Sequence, residues 1–255
     1  MALDRAKILC LFGVKGGIGK SIISMSLAGV ASNKHIKTLI IDMDIYGGAI
    51  SLAFNKPVEK TIYNFVDDYN NNRYKDIKDY ITKYNEYIDF IASPIDPRKS
   101  NKIDSEYLEI LLDKSKFNYD LIILDTNHIL NEINLNLLDK SDNILFMLNN
   151  DTYNIKNMRN LINIFKDLEK DNYKVLLNNG IYENRNYYNL GDIKEVIGCN
   201  IDYTLSNKFY INNIDGYLYD GKIITLEKNV VDKKDYRVMN LILEDLFNKV
   251  GDKYE

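Results

Sequence analysis

The chain has 255 residues, with 27% charged and 45% hydrophobic side chains and a formal net charge of −4. This composition is typical of a globular protein with one large core, and it lacks the basic excess of a dedicated nucleic-acid binder, so we expect no direct DNA partner. No stretch approaches the ~18 apolar residues that span a bilayer, so we predict a cytoplasmic protein that does not insert into membranes.

Six short apolar runs are predicted to form buried strands, with helical stretches between them. The strands are residues 7–12, 37–42, 87–93, 119–125, 143–148 and 173–178, and the helices are residues 22–32, 105–112, 135–138 and 155–168. Strands that are apolar throughout and alternate with helices indicate a mostly parallel sheet with helices on both faces, that is, a doubly wound α/β fold.

The loop after the first predicted strand has the sequence GVKGGIGKS, residues 13–21. It is a close variant of the phosphate-binding loop G-x-x-x-x-G-K-[S/T], with Val14 in place of the first glycine and an additional Lys15. Its glycines allow successive N–H groups to face phosphate oxygens, and the helix that follows adds the positive end of its dipole. Lys20 would reach the β- and γ-phosphates, and Ser21 would ligate Mg²⁺.

Three aspartates follow predicted strands at the same edge of the sheet. Asp42 and Asp44 end the second strand, and Asp125 ends the fourth strand, NYDLIILDT, which has the shape of a Walker B strand. Because ligands of parallel sheets bind beyond the carboxyl ends of the strands, these acids are expected beside the phosphate loop. One carboxylate can organise Mg²⁺ and its waters, and another can orient an attacking water.

The remaining segments give weaker predictions. Segment 61–87 is polar and rich in Asn and Tyr, and is predicted to form one or two surface helices with loops. No Gly/Ser- or Pro-rich linker divides the chain, so residues 1–255 are predicted to form one domain. The last helical stretch, YRVMNLILEDLFNKV, carries Glu244 and Asp245, so we expect it to pack on the core and not on a membrane.

The sequences KGGIGKS, IIDMD and LIILDT together resemble the deviant-Walker-A ATPases of the ParA/MinD superfamily. In that family the first Walker glycine is not required, and the added lysine is the signature. The resemblance implies a P-loop NTPase fold of the SIMIBI/MinD-like type, with ATP and Mg²⁺ as cofactors and a homodimer in the ATP state. It implies catalytic roles for Lys15, which crosses the dimer to the partner's phosphates, and for Lys20 and Asp44.

The resemblance also implies a nucleotide-binding set and a metal-binding set. The first is Gly16, Gly17, Ile18, Gly19, Lys20, Ser21, Ile22 and Asn178, with Asn178 beside adenine, and the second is Ser21, Asp42 and Asp125. Two positions depart from the family pattern. Ile22 stands where the family often has a second hydroxyl facing the α-phosphate, which predicts a reduced nucleotide affinity. TNH follows Asp125 where Pro or Gly is usual, which predicts slow hydrolysis; His128 could reach the site from this segment, but a surface histidine without a catalytic role is the favoured interpretation.

Within the superfamily, segment 87–126 and the stretch DNILFMLNNDTYNIKNMRNLINIF most resemble the TadZ/CpaE pilus-assembly group. This implies a protein that positions a pilus or type IV secretion machine, at a cell pole or at the inner face of the membrane through protein partners. The group commonly has an N-terminal receiver-like domain, which we expect to be absent or removed here. The alternatives are a ParA/MinD-type DNA-segregation or cell-division-site ATPase, and an ATP-locked scaffold with little turnover.

Overall fold

A central sheet organises the chain, for which a computed structural model describes residues 5–179, 188–209 and 213–248. The strands are β1 (Lys7–Phe12), β2 (Thr38–Met43), β3 (Thr82–Lys83), β4 (Ile88–Ile91), β5 (Leu121–Thr126), β6 (Asn143–Leu148), β7 (Tyr173–Asn178) and β8 (Tyr203–Leu205). Their order in the sheet is β3-β4-β2-β5-β1-β6-β7-β8. Every neighbouring pair is parallel except β3 and β4, which are antiparallel.

Helices cover both faces of the sheet. In the described residues they are α1 (Lys20–Asn33), α2 (Ile50–Ala53), α3 (Ile62–Asn70), α4 (Ser105–Ser115), α5 (Glu132–Lys140), α6 (Thr152–Asp167), α7 (Leu190–Ile197), α8 (Ile214–Tyr219) and α9 (Lys233–Asn248). Short 3-10 turns lie at Ile77–Tyr80, Pro97–Lys102 and Asn207–Phe209. Helices α3 to α7 contribute to one core, and α1, α2 and α9 contribute to the other.

The strands explain why two cores form. Every residue of β5 is buried, and successive side chains of a strand point to opposite faces. Ile122 and Leu124 therefore enter the core under α3 to α7, whereas Leu121 and Ile123 enter the core under α1 and α9. The predicted doubly wound α/β fold is confirmed, and all six predicted strands are present within one or two residues of their predicted ends.

The segment 61–87 differs from its prediction. It contains one α-helix, α3, followed by the 3-10 turn Ile77–Tyr80 and the strand β3, and it is not simply a surface segment. Phe65 and Tyr80 are each at most 1% exposed, and their rings are in edge contact, because the apolar and aromatic residues of the segment share one face. The polar residues that dominate its composition occupy the other face.

Helix α1 lies deep in the molecule. Of its 14 residues, 11 are buried, and it packs against the sheet on one side and α9 on the other. A Cβ on Gly29 would lie 2.2 Å from Thr225 Oγ1, and that hydroxyl donates a hydrogen bond to the Ser26 carbonyl, so this side of α1 is also covered. Buried Met239 and Leu243 confirm that α9 packs on the core. Among the residues described, no helix combines the length and apolar composition that crossing a bilayer requires.

Candidate nucleotide-binding site

The loop between β1 and α1 has the backbone that the sequence motif predicts. Gly17 and Gly19 have φ values of 71° and 88°, a left-handed conformation that is strained for any residue with a Cβ. Gly19 is the N-cap of α1, and in the described chain no side chain caps this end and no acidic residue lies in its first turn. The N–H groups at this helix end therefore remain available to an anion.

The loop borders a cavity of about 540 Å³, a size that accommodates a small-molecule ligand. Its lining comes from the loop, from α1, from the segments after β2 and β5, and from α8. The lining residues are Gly16, Gly17, Gly19, Lys20, Ser21, Ile22, Met25, Asp44, Ala49, Ala53, Thr126, His128, Ile214, Asp215 and Leu218. Most of the predicted loop residues thus meet in one place, together with Asp44, which is far from them in sequence.

Two buried charged groups act on each other beside the loop, and of these Lys20 lines the cavity whereas Asp125 does not. Lys20 is 9% exposed, and burial lowers its pKa, an effect that Asp125 and Asp44 oppose. Asp125 is 1% exposed, and burial raises its pKa, although the Ser21 hydroxyl, the charge of Lys20 and the Ser24 hydroxyl act in the opposite direction. Ser24 Oγ donates to Asp125 Oδ1 at 3.0 Å, whereas Oδ2 has no hydrogen-bond partner among the described residues. An unpartnered buried carboxylate oxygen is costly unless a ligand completes it.

Asp42 has a different environment from its neighbour in the sheet, Asp125. It is fully buried, and burial followed by the charge of Asp125 raises its pKa well above the usual value. Oδ2 accepts hydrogen bonds from Ile50 N at 3.1 Å and Ser93 Oγ at 3.3 Å, and Oδ1 accepts from Asp44 N at 3.3 Å. Asp42 does not line the cavity, so its metal-side role stays a prediction. What it does is hold the segment that carries Asp44.

Gly48 allows the segment that carries Asp44 to pass close to Ser93 and Asp42. A Cβ at this position would lie 1.8 Å from Ser93 Oγ and 2.5 Å from Asp42 Oδ2, distances that no side chain tolerates. The chain after β2 can therefore pass close to the buried carboxyl and return toward α2. This close approach sets the position of Asp44 at the cavity.

Lys15 is turned away from the cavity. Its ammonium group contacts Asp151 Oδ2 at 2.9 Å, and Asp151 also caps α6 by accepting from Asn154 N at 2.9 Å. Burial alone would raise the pKa of Asp151, but the Asn154 N–H and Lys15 hold it below its ordinary value. Sequence reasoning missed Asp151, since an N-cap aspartate carries no signal for a contact 136 positions away. In this state Lys15 is bound within its own subunit.

Two other predicted site residues, Asn178 and Ile18, do not line the cavity. Asn178 is 1% exposed and does not line the cavity, and its Nδ2 donates to the carbonyl of Ile18 at 2.9 Å. Ile18 is itself buried at 1% exposed, so it would offer a ligand its backbone and not its side chain. The role of Asn178 beside adenine stays a prediction, and the contact shows that it anchors the phosphate loop to β7.

The residues present fit a magnesium ion. In the described part of the chain no group of three or more His, Cys, Asp or Glu could hold a metal by itself. Mg²⁺ differs from other ions in this respect, because it commonly binds through one or two protein oxygens, several waters and substrate phosphates. The Ser21 hydroxyl at the cavity and the unpartnered Oδ2 of Asp125 are oxygens of that kind.

Comparisons with known proteins show the family and the fold of the chain. The family model described as AAA domain matches residues 6–179. The chain is similar to the sporulation initiation inhibitor protein Soj of Bacillus subtilis, with 28% identity over 177 residues that cover 64% of this chain and 66% of Soj, slightly less than two thirds of that relative.

Solved structures share the whole fold. A ParA family ATPase from Chlorobium tepidum superposes with a TM-score of 0.79 at 17% identity, covering 94% of this chain and 99% of that one. The septum site-determining protein MinD of Pyrococcus horikoshii, solved with Mg-ADP, superposes with a TM-score of 0.78 at 16% identity, covering 98% and 99%. At these identities the likeness extends to the fold.

Proposed function

The chain belongs to the AAA domain family and to the ParA/MinD superfamily of ATPases, and from this membership we infer that it binds ATP and Mg²⁺ and hydrolyses ATP slowly as a dimerisation switch. One observation carries the proposal. Buried Lys20 stands at an uncapped helix end beside the cavity, and buried Asp125, whose charge acts on Lys20, keeps an oxygen without a partner among the described residues. Such destabilised groups mark functional sites because a ligand compensates them.

The residues in and beside the cavity have different roles in the proposed phosphoryl transfer. The N–H groups of the loop and the first turn of α1 bind the phosphates, and Lys20 neutralises their charge. Asp44, on the segment held by Asp42, orients the attacking water. Ser21 and Asp125 would hold Mg²⁺ and its waters, and the ion would supply charge neutralisation at the phosphates.

In the proposed mechanism Lys15 stabilises the dimer by contacting the phosphates bound to the other subunit. In the single chain it pairs with Asp151, so reaching another subunit's phosphates requires that this ion pair open. The pair is partly solvent-exposed, and such pairs contribute only about 0–1 kcal/mol, so opening it is a small cost. Two bound nucleotides facing each other across a two-fold axis would gain a compensating cation from each Lys15.

The cellular role that we propose is to position a pilus or type IV secretion assembly through protein partners. The support is the TadZ/CpaE-like sequence of segment 87–126 and the acidic net charge, which disfavours a DNA or membrane partner. The protein would act in the cytoplasm, at a pole or at the inner face of the membrane, with residues 1–255 as one ATPase domain. A role in segregation or division-site placement is the alternative, favoured by the likeness to Soj and MinD, and an ATP-locked scaffold with little turnover is the other.

ATP binding is tested by removing Lys20. Lys20→Ala should weaken Mg-ATP at least about tenfold in calorimetry, equivalent to ~1.4 kcal/mol. Lys34→Ala is the matched control, because Lys34 follows the opposite end of α1 and pairs with Glu244 at the surface. Equal ATP affinities for the two variants would overturn the assignment of the cavity. A salt-sensitive, ATP-dependent shift of duplex DNA would instead promote the segregation alternative.

A further inference from the structure

His128 lies against Gly16 of the phosphate loop. It is exposed, it lines the cavity, and a Cβ on Gly16 would lie 3.4 Å from its Nδ1 and 3.5 Å from its Cε1. The imidazole therefore lies next to Gly16, within van der Waals distance of the position that a Cβ would take there.

The backbone that carries His128 is fixed by a buried amide network. Asn127 Oδ1 accepts from Ile129 N at 2.9 Å and from Asn134 Nδ2 at 2.7 Å, and Asn134 Nδ2 also donates to the Ile129 carbonyl at 2.6 Å. Asn127 and Asn134 are 5% and 0% exposed. Both residues flanking His128 are thus held, so the position of the imidazole is set by the fold and not by a free loop.

Few side chains that line the cavity can donate a hydrogen bond, and His128 is one of them. Among the lining side chains of the described chain, those with N–H or O–H groups are Lys20, Ser21, Thr126 and His128. The Thr126 hydroxyl donates to the Leu11 carbonyl at 2.6 Å. Lys20 and Ser21 stand where the loop enters α1, and Lys15 is held by Asp151. His128 is the side-chain donor at the start of the loop.

We propose that His128 is a phosphate-binding residue that contacts the terminal phosphate of ATP and so distinguishes ATP from ADP. This inference rests on the proposed ATP-binding function. Lys20, Ser21 and the N-terminus of α1 would hold the phosphates at the helix end of the loop, so His128, beside Gly16 at the other end, would face the terminal phosphate. An imidazole N–H donates to a phosphate oxygen in either protonation state, and hydrogen bonds to charged groups are the strong ones.

The test compares ATP and ADP affinities, because a ring that only packs on Gly16 would affect both nucleotides equally. His128→Ala removes the donor, and His128→Asn keeps a polar side chain that is too short to cross Gly16. Each variant is titrated with Mg-ATP and Mg-ADP in calorimetry, beside the unmodified chain. We expect about a tenfold loss for ATP and less than a twofold change for ADP in both variants.

His35→Asn is the matched control, since it removes the other histidine of the chain. His35 has a positive φ of 59°, which Asn tolerates, and its ring contacts Tyr87 away from the cavity. The ratio of ATP to ADP affinity should not change in this variant.

The outcomes separate the two proposals. If the unmodified chain binds ATP and the His128 variants lose ATP and ADP equally, or lose neither, the inference on His128 is wrong and the ATP-binding function stands. If the unmodified chain binds neither nucleotide, both are wrong. If either His128 variant fails to fold, the other decides by the same ratio.

Discussion

The nucleotide site and the tyrosine-rich edge surround their carboxylates differently, and the pKa values of these carboxyl groups shift in opposite directions. At the tyrosine-rich edge, which comprises α3 and the turn Ile77–Tyr80, Asp68 contacts Lys60 at 2.9 Å, Arg73 at 3.1 Å and the Tyr80 hydroxyl at 2.9 Å. The hydrogen bond from Lys60 leads the effects that lower the pKa of Asp68 to about 2. At the site, burial raises the pKa of Asp125, and one of its oxygens has no partner in the described chain.

This difference indicates that Asp68 stabilises the fold, whereas Asp125 is suited to binding a ligand. The carboxylate of Asp68 is paired by the fold itself, so its charge stabilises the folded state. The carboxylate of Asp125 is desolvated without full compensation, so its charge costs stability until a ligand arrives. Neutralising the two acids should therefore have opposite consequences, and each consequence is measurable.

The largest effect is expected for Asp125→Asn. ATP hydrolysis should fall roughly a hundredfold, because the oxygen assigned to the magnesium waters is lost. The nucleotide-free chain should become more stable at neutral pH, since the Ser24 hydrogen bond is kept while a buried charge is removed. A gain of ~1 kcal/mol would raise the unfolding midpoint by about 2–4 °C. Phosphate release and thermal unfolding are the measurements.

Asp139→Asn is the control for this prediction, because Asp139 forms a surface ion pair with Lys170 far from the loop. It should leave hydrolysis unchanged. A decrease in the stability of Asp125→Asn, with hydrolysis intact, would contradict the contrast between the two regions.

Asp44→Ala should separate hydrolysis from binding. Asp44 is only partly buried, so its removal should change stability little. The rate should fall about a hundredfold because the attacking water is no longer oriented, while ATP affinity stays within about threefold. The variant should accumulate as a dimer in ATP and Mg²⁺, measured by size-exclusion chromatography with light scattering. A monomer in ATP would disprove the coupling of hydrolysis to dissociation.

The next effect concerns the ion pair at the rim of the site. Lys15→Ala should bind ATP but remain monomeric, with at least about a tenfold loss in dimer affinity if each copy of Lys15 contributes a charge-assisted contact. Asp151→Asn should favour the dimer by about two- to fivefold, because it frees Lys15 at the cost of one exposed ion pair. Asn preserves the cap of α6. Light scattering across an ATP titration measures both, and dimerisation of Lys15→Ala like the unmodified chain would remove the trans role.

The smallest effect is expected at the tyrosine-rich edge. The folded pKa of Asp68, about 2, lies below the ordinary value of ~3.9, so its contribution is present above that value and is lost as pH falls toward 2. Asp68→Asn should cost ~1 kcal/mol at pH 7, after allowance for solvent screening, and almost nothing near pH 2. Denaturant unfolding at several pH values measures this, and ATP affinity should not change. A loss of stability that persists at pH 2 would contradict the assignment to charge.

The sequence predicted the centre of the molecule better than its edges. Strands β1, β2 and β5 are continuous apolar runs, and the positions of Lys20, Asp44 and Asp125 follow from the rule that parallel strands end at one edge. Strand β3 has only two residues, both polar, and β8 has three, so neither carries a periodic signal. The short helices α2 and α8 were missed for the same reason.

In the site, the loop residues were predictable and their partners were not. A glycine pattern reports a backbone requirement, which is local, and so the left-handed Gly17 and Gly19 were foreseeable. The contacts of Lys15 with Asp151, and of Asn178 with Ile18, join residues more than 130 positions apart and depend on three-dimensional packing. Asp42 shows the same limit, because its sequence spacing to Asp44 is visible but its burial is not.

The burial of α1 has a consequence for the timescale on which the site can change. A helix enclosed by the sheet, by α9 and by Thr225 has almost no route to open locally, so its amides beyond the first turn should exchange with deuterated solvent only when the whole domain unfolds. The floor of the phosphate site would then stay formed through every turnover. Nucleotide binding and release should therefore change the amide exchange rates of the segments that carry Asp44 and His128, while the protected amides of α1 keep the same slow rate.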